Sequence, residues 1–274
     1  MKFSNGCWLQ KEGCSCFAPA EAYFTKIEEK KVTICAPTTH IVTRGDTLGG
    51  VNLTLEITSP ASEILRVRTY HYKGEVVDTP SFELEMNEEL PLDVKDSEEE
   101  ISIASGELTL VITKKNWSMT YYRNGEMITR SAGRDLALMK TDFKGLAYNY
   151  TDSEETYMRQ MLSLSVGELV YGMGERFTPF VKNGQSVDIW NADGGTSTEQ
   201  SYKNIPFYLT NKGYGVLVNH SEKVSFEVAT EMVTRTEFSV EGGYLDYFLI
   251  NGPTMKEVLT RYTDLTGKPS LPAP

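Results

Sequence analysis

One polar stretch of this sequence, residues 177–204, has the residue types that recognise a sugar. It is rich in Asn, Asp, Gly, Ser and Thr, and it is interrupted by the large aromatic residue Trp190. An indole offers a flat apolar face to a sugar ring, while carboxylates such as Asp193 and nearby amides can bond its hydroxyls. The pattern therefore indicates a sugar-binding loop. The plainer alternative is that Trp190 belongs to the core and Asp193-Gly194-Gly195 is only a turn.

Two short apolar runs must position this loop. Residues 170–174 read as a strand broken by two glycines, which indicates a bulge or a close approach of the backbone. Glu175 and Arg176 follow at its end, and we predict that they form a structural ion pair that supports the loop. The second run, residues 205–209, returns to the core. We expect four aromatic residues of this region to be core rather than a sugar platform: Tyr202, Phe207, Tyr208 and Tyr214.

The order of motifs here resembles glycoside hydrolase family 31, and most closely its bacterial α-xylosidase branch. The similarity covers nearly the whole chain; it is dense from about Leu164 onward and thin between Leu65 and Met161. The residues that carry it are Met1 to Leu9, Gly172-Met173-Gly174-Glu175-Arg176-Phe177, Trp190-Asn191-Ala192-Asp193, Tyr202 to Tyr208, Gly213 to Asn219, Tyr244 to Phe248, Gly252-Pro253-Thr254, Arg261-Tyr262-Thr263 and Thr266 to Pro269.

The resemblance implies an N-terminal β-sandwich of galactose-mutarotase-like form, followed by a catalytic (β/α)₈ barrel. Retaining glycosidases need a nucleophilic and an acid/base carboxylate about 5–5.5 Å apart. In this family both aspartates belong to the barrel, and the chain stops at Pro274, where the barrel is expected to begin. We therefore assign no catalytic residue, no metal and no cofactor, and we do not expect the chain alone to hydrolyse glycosides.

The resemblance also implies a substrate ligand within this chain. In the family, a loop of the sandwich reaches over the active site, and its aspartate bonds the sugar on the leaving-group side. Asp193 matches that position, Trp190 and Asn191 match the motif around it, and Thr196 is a weaker candidate for a hydroxyl contact. Ala192 departs from the basic residue often found there, so this position offers no charge-assisted contact. Asp46 lies on a turn that could approach an active site in an oligomer, although most such turns have no such role.

Composition excludes several classes of partner. The chain has 274 residues, of which 40% are hydrophobic, which is enough for one large β domain. It carries 27 Lys and Arg against 38 Asp and Glu, a net charge of −11. Nucleic acids and anionic membranes require clustered cations, so neither is an expected partner.

The cysteines and the N-terminus favour the cytoplasm. Cys7, Cys14, Cys16 and Cys35 contain no C-x-x-C pair, so buried thiols are favoured over a zinc site completed by His40. Residues 1–10 lack a signal pattern, and no apolar run reaches the roughly 18 residues of a membrane span.

Period-two alternation predicts an all-β fold of two antiparallel sheets packed face to face. Leu65 and Val67 alternate with Arg66 and Arg68, for example, and Asn124-Gly125 predicts a type I′ hairpin. We divide the chain into a sandwich, residues 1–250, and a helix with a Pro-rich linker, residues 251–274.

One helix is predicted after Pro253. Thr254 and Glu257 have the spacing of a capping box, and Gly267 is placed to end the helix. Its apolar residues fall on one face: Met255, Val258, Leu259, Tyr262 and Leu265.

Three functions remain open at this point. The first is the accessory domain of an α-glycosidase acting on α-xylosides or α-glucosides, in which this chain completes the substrate pocket and homo-oligomers are plausible. The second is a stand-alone carbohydrate-binding module. The third, an aldose mutarotase, needs a general acid and base, and the scattered His40, His71 and His220 give little support for it.

Overall fold

The computed structural model describes residues 1–6, 9–48, 50–75, 80–86, 89–141, 155–192 and 198–271. These residues form nineteen strands, one α-helix and two short 3₁₀ helices at Arg44–Thr47 and Lys73–Glu75. The strands and the helix are β1 (Cys14–Phe17), β2 (Phe24–Ile27), β3 (Val32–Pro37), β4 (Asn52–Ala61), β5 (Ile64–Tyr70), β6 (Asp93–Asp96), β7 (Glu100–Ser105), β8 (Leu108–Thr113), β9 (Ser118–Arg123), β10 (Glu126–Ala132), β11 (Ala137–Thr141), β12 (Glu155–Ser163), β13 (Val170–Gly172), β14 (Gln185–Ile189), β15 (Phe207–Thr210), β16 (Tyr214–Val218), β17 (Val224–Val228), β18 (Arg235–Glu241), β19 (Tyr244–Asn251) and α1 (Met255–Thr266).

The strands form three antiparallel sheets rather than the predicted two. The eight-stranded sheet has the order β13-β15-β16-β19-β5-β4-β3-β2, the six-stranded sheet β1-β11-β12-β18-β17-β14, and the five-stranded sheet β10-β9-β8-β7-β6. Both smaller sheets face the largest one. The hydroxyls of Tyr121 on β9 and Tyr247 on β19 lie 2.8 Å apart, and the ring of Phe238 on β18 packs against Tyr247 at 5.3 Å. The predicted sandwich is therefore present, with one of its layers divided between two sheets.

Local sequence explains several elements directly. On β5, Leu65 and Val67 are fully buried in the core, as their alternation predicts. The β9–β10 hairpin turns at Asn124 and Gly125, whose φ angles of 49° and 81° fit the predicted type I′ turn. These predictions are confirmed. Each depends only on neighbouring residues, so the local sequence is enough to make it.

Helix α1 begins with the predicted capping box. The Thr254 hydroxyl accepts a hydrogen bond from the Glu257 amide, and the Glu257 carboxylate accepts one from the Thr254 amide. Val258 and Leu265 are buried against the eight-stranded sheet, and the ring of Tyr262 stacks on Phe207 of β15 at 3.9 Å. The helix therefore packs on the outer face of the largest sheet. The predicted domain division at residue 250 stays a prediction.

The predicted apolar face of α1 is only partly buried. Met255 and Leu259 remain 41% and 48% exposed. The helix has twelve residues, and no helix in the described part of the chain is long and apolar enough to cross a membrane.

The N-terminal residues cover the outer face of the six-stranded sheet. Phe3 is fully buried against Tyr157, and its amide donates a hydrogen bond to Glu231 at 2.8 Å. Glu237 of β18 is buried beneath this cover, and its two carboxylate oxygens accept no hydrogen bond from the described residues. Burial raises the pKa of Glu237 to about 8, against an opposing effect of Arg159.

Candidate functional site

The glycines in and just after β13 let the backbone lie directly against the segment that leads into β15. Gly172, Met173 and Gly174 all have positive φ, at 110°, 67° and 84°. A Cβ atom on Gly174 would lie 2.0 Å from the carbonyl oxygen of Lys203, which is far inside van der Waals contact. The close backbone approach predicted from the two glycines is therefore present, and residue 174 must be glycine to allow it.

Arg176 joins three segments of the chain through its guanidinium group. Its Nε donates to the Met173 carbonyl at 3.1 Å, Nη1 to the Glu199 carbonyl at 3.0 Å, and Nη2 to the Asp188 carbonyl at 2.7 Å. Nη2 also bonds the side-chain oxygen of Asn204. Burial lowers the pKa of Arg176, but an arginine remains charged, so these are charge-assisted hydrogen bonds.

Asn204 completes the same network from the other side. Its Nδ2 donates to the carbonyl oxygens of Trp190 at 2.9 Å and Ser201 at 2.7 Å, and to the side-chain oxygen of Asn191 at 2.9 Å. Asn191 and Ser201 also form a parallel β-bridge. Arg176 and Asn204 therefore hold the two ends of the segment between residues 190 and 201, the support network of this loop.

The predicted Glu175–Arg176 ion pair is wrong. Glu175 instead pairs with Lys203, Oε1 to Nζ at 2.9 Å, while its backbone amide donates to the Lys203 carbonyl at 3.0 Å. The Arg176 guanidinium is directed to backbone carbonyls and to Asn204 rather than to Glu175. The two residues act separately: Glu175 pairs with Lys203, whereas Arg176 belongs to the support network.

Trp190 follows β14 and is exposed. Val187 and Ile189 of β14 are buried, and Trp190, the next position in the alternation, is 57% exposed. The interpretation of Trp190 as a core residue is therefore wrong. The support network reaches its carbonyl and the Asn191 side chain, so both lie at the start of the loop. The predicted ligands Asp193 and Thr196 lie outside the described residues.

Of the four aromatic residues expected in the core, three are buried and one is exposed. Phe207, Tyr208 and Tyr214 are buried, which confirms the expectation for them. Tyr202 is 65% exposed, so the expectation was wrong there. Tyr202 precedes β15 in an irregular segment, where strand alternation gives no guide to burial.

Sequence reasoning missed two further exposed aromatic residues of this region. Phe177 and Phe180 are 66% and 79% exposed, and Phe180 lies 5.4 Å from the ring of Tyr171. It also missed Asn204 as a support residue. The signal available was its position in the Tyr202 to Tyr208 motif, but a single amide gives no hint of its partners.

Asp46 has a local structural task in this molecule. Its carboxylate accepts hydrogen bonds from the amides of Val42 and Thr43 and from the Thr43 hydroxyl, which lower the pKa of Asp46. The carboxylate thus caps the 3₁₀ helix Arg44–Thr47. Val42 and Leu48 on either side are 86% and 79% exposed.

The cysteines and histidines do not assemble into a metal site among the residues described. Cys14 and Cys16 lie on β1 of the six-stranded sheet, whereas Cys35 lies on β3 of the eight-stranded sheet; Cys7 is outside the described residues. Within the described ranges, no group of three or more His, Cys, Asp or Glu side chains is arranged to hold a metal ion.

Comparison with known proteins gives this architecture a family. The family model described as "Glycosyl hydrolase 31 N-terminal galactose mutarotase-like domain" matches residues 54–227. The chain belongs to glycosyl hydrolase family 31. It corresponds to the N-terminal galactose mutarotase-like domain of that family, and the all-β sandwich described above is the fold expected for it.

Relatives within family 31 align over almost the whole chain. It is 42% identical to "Alpha-xylosidase XylQ" of Lactiplantibacillus pentosus and 38% identical to an α-xylosidase of Emericella nidulans, in each case over 99% of this chain. The alignments cover 34% and 36% of those relatives. The chain thus spans about a third of the length of the curated relatives it matches.

Solved structures share the fold at lower sequence identity. The cycloalternan-forming enzyme of Listeria monocytogenes, in complex with a pentasaccharide substrate, matches with a TM-score of 0.72 at 18% identity, over 92% of this chain and 22% of that one. A soil-metagenome α-xylosidase complexed with xylose matches with a TM-score of 0.65 at 15% identity, over 89% and 34%.

Proposed function

We propose that this chain is the N-terminal part of a retaining α-glycosidase that hydrolyses α-linked xylosides or glucosides. In this proposal the chain supports a catalytic (β/α)₈ barrel and lends its 190–201 loop to the substrate pocket. The observation that carries it is the alignment of 99% of the chain with an α-xylosidase at 42% identity. An oligosaccharide is the substrate, and the catalytic carboxylates lie outside this chain.

The 190–201 loop has properties that a pocket wall needs. Arg176 and Asn204 hold its two ends mainly through hydrogen bonds to backbone oxygens, which fixes the points where the loop begins and ends. The exposed indole of Trp190 supplies an apolar surface for a sugar ring. We assign Asp193 as the ligand of the sugar on the leaving-group side, with Asn191 and Thr196 as further polar contacts.

The test is Asp193→Ala in the whole enzyme. We expect kcat/KM to fall about 10- to 100-fold on isoprimeverose, because a hydrogen bond to a carboxylate contributes about 1.5–3 kcal/mol. The loss should be smaller on an aryl xyloside, whose leaving group offers no sugar hydroxyls. Glu199→Ala is the matched control, since Arg176 uses only the Glu199 backbone carbonyl. Unchanged kcat/KM and unchanged acceptor preference in Asp193→Ala would refute the ligand assignment.

A stand-alone carbohydrate-binding module is the second candidate, favoured by the exposure of Trp190. Isothermal titration of the 274-residue chain with xylose, glucose and isoprimeverose separates the two candidates. Binding at about 1–10 μM that Trp190→Ala abolishes would favour the module. An accessory domain should bind no sugar that tightly at this loop without its barrel.

A mutarotase is a weaker candidate. His220 accepts a hydrogen bond at Nε2 from the Asp246 amide. Its Nδ1 therefore carries the ring proton and donates a hydrogen bond to Glu222. Both ring nitrogens are thus occupied by neighbours, which disfavours His220 as a general base. A polarimetric mutarotation assay on the chain should show no acceleration over buffer.

We also propose a cytoplasmic protein that forms homo-oligomers. The thiols of Cys16 and Cys35 suit a reducing compartment. Val42 and Leu48 present exposed apolar surface on either side of Asp46, which suits self-association. Light scattering on the whole enzyme tests the assembly: Val42→Asp with Leu48→Asp should reduce the measured mass to that of a monomer, and an unchanged mass would exclude this surface.

A further inference from the structure

A polar cleft of about 500 Å³ lies on the outer face of the eight-stranded sheet. Along β19, Leu245 and Tyr247 face the core between the sheets, whereas Tyr244 and Asp246 point to the opposite side and line the cleft. Arg66, from β5, and Asn219 and His220, which follow β16, complete its floor. The floor of the cleft is therefore formed by sheet strands and the residues that follow them, whereas the first candidate site is the 190–201 loop.

The floor of the cleft is held rigidly by Asp246, which is 1% exposed. Arg66 donates to both carboxylate oxygens, Nε to Oδ1 at 2.9 Å and Nη2 to Oδ2 at 2.6 Å. Asn219 Nδ2 donates to Oδ2 at 2.8 Å, and the Asp246 amide donates to His220 Nε2 at 2.9 Å. Such a network fixes polar groups before any ligand arrives, as a binding site requires.

One acceptor on this floor has no donor. Asn219 Oδ1 is buried and accepts no hydrogen bond from the described residues. The amide cannot be turned over to correct this, because Nδ2 is the atom that donates to Asp246. A buried acceptor without a donor is unfavourable, and the side chains around Asn219 Oδ1 must shift before a ligand hydroxyl can bond it.

The charges of the cleft disfavour an anionic ligand. Glu222, Glu241 and Asp246 line it together with Arg66 and Lys223, while His220 is neutral because Nε2 accepts a hydrogen bond. The carboxylates outnumber the cations, so a phosphate or carboxylate ligand would be repelled. A ligand that donates several hydrogen bonds and carries no charge fits this lining.

Tyr244 adds a flat apolar surface to these acceptors. Its ring is half-buried and lies 5.4 Å from the ring of His220. An aromatic face beside carboxylate and amide oxygens is the combination that binds a pyranose ring. We propose that this cleft is a second sugar-binding site, which takes a neutral pyranose or a short neutral oligosaccharide. It does not depend on the 190–201 loop or on catalysis.

The test is a titration of the 274-residue chain with methyl α-D-xyloside and methyl α-D-glucoside, followed by NMR or calorimetry. We expect saturable binding with a Kd of about 1 mM, in the range of a weak site. Tyr244→Ala should weaken it at least ~10-fold by removing the ring surface. Glu241→Gln, an exposed substitution on the rim, should weaken it by ~3-fold without affecting the fold. Trp190→Ala should leave the affinity unchanged.

Circular dichroism and the thermal midpoint establish that each variant is folded. If Tyr244→Ala does not fold, the Glu241→Gln result and the chemical-shift changes around Asn219 carry the test. Three results would overturn the proposal: no saturable binding of either glycoside, binding lost in Trp190→Ala but kept in Tyr244→Ala, or inorganic phosphate competing with the sugar. The Asp193→Ala kinetics test a different surface, so failure of one proposal leaves the other standing.

Discussion

Arg176 is a partly buried arginine and Glu237 a fully buried glutamate, and the molecule treats them in opposite ways. Arg176 donates to three backbone carbonyls and one amide oxygen, all within its own loop region. Glu237 lies under the N-terminal residues with neither carboxylate oxygen hydrogen-bonded among the described residues. The guanidinium thus has polar partners that replace water, whereas the carboxyl does not.

The two residues show two ways in which a protein accommodates an ionisable group away from water. An arginine cannot lose its charge, so it must be given partners, and those partners then fix the geometry of a loop. A carboxyl group can become neutral, and its pKa near 8 means that Glu237 is largely protonated at neutral pH. We therefore expect substitutions that alter side-chain geometry to destabilise the loop region. We expect changes of pH to alter the stability of the N-terminal cover.

The largest effect is expected from Gly174→Ala. The new Cβ would meet the Lys203 carbonyl at 2.0 Å, so the backbone on one side of the loop must move. We expect a loss of about 3–5 kcal/mol in the free energy of unfolding, measured by urea denaturation. Gly184→Ala is the matched control: it has the same φ of 84°, but nothing lies within 4 Å of its Cβ position. It should lose only about 1–2 kcal/mol, and equal losses would show that the contact is unimportant.

Arg176→Met should follow, with a loss of about 2–4 kcal/mol, because several hydrogen bonds from a charged donor disappear together. Limited proteolysis should then cut within residues 190–201 at least several-fold faster. Arg176→Lys keeps the charge but cannot make the planar set of contacts, so it should recover less than half of the loss. Full recovery by lysine would mean that charge, and not geometry, supports the loop.

Glu237→Gln should change how stability depends on pH. The folded pKa, about 8, lies above the ordinary value of 4.5, so the unfolded chain releases this proton first as pH rises. Stability from this group is fully present below about pH 4.5 and is lost as pH rises to about 8. The glutamine variant should gain up to ~3 kcal/mol relative to wild type between pH 5 and pH 9 in urea unfolding. Parallel curves for the two proteins would contradict the assignment.

The smallest effect is expected from Glu175→Gln. Its pair with Lys203 is exposed, with 76% and 64% of the two side chains accessible to solvent. We expect a loss below ~0.5 kcal/mol, which should vanish in about 0.5 M NaCl. A loss comparable to that of Arg176→Met would show that the adjacent charges act as one unit after all.

The parts of the fold that sequence predicts well are those set by near neighbours. Alternation on β5, the Asn124-Gly125 turn and the Thr254 capping box all appear as expected. The division into three sheets was missed, and so was strand β1. Strand β1 pairs with β11 far along the chain, with Cys14 opposite Thr141. No local pattern in residues 14–17 indicates that partner.

The candidate site shows the same division. The glycine motif predicted a close backbone approach, and the resemblance indicated which loop to examine. Adjacency suggested a Glu175–Arg176 pair, but the real partners, Lys203 and Asn204, come from a segment that only the fold brings close. The role of Asp193 remains a prediction, with a kinetic test stated above.

Strand β15 has a consequence for motion within the molecule. On one edge it pairs with β13, which leads directly into the glycine motif and Arg176, and its Phe207 ring stacks on Tyr262 of α1. The helix and the 190–201 loop therefore share one four-residue support. A displacement of the helix would reach the loop through β15 and not through the main core. We therefore expect the helix and the loop to move together.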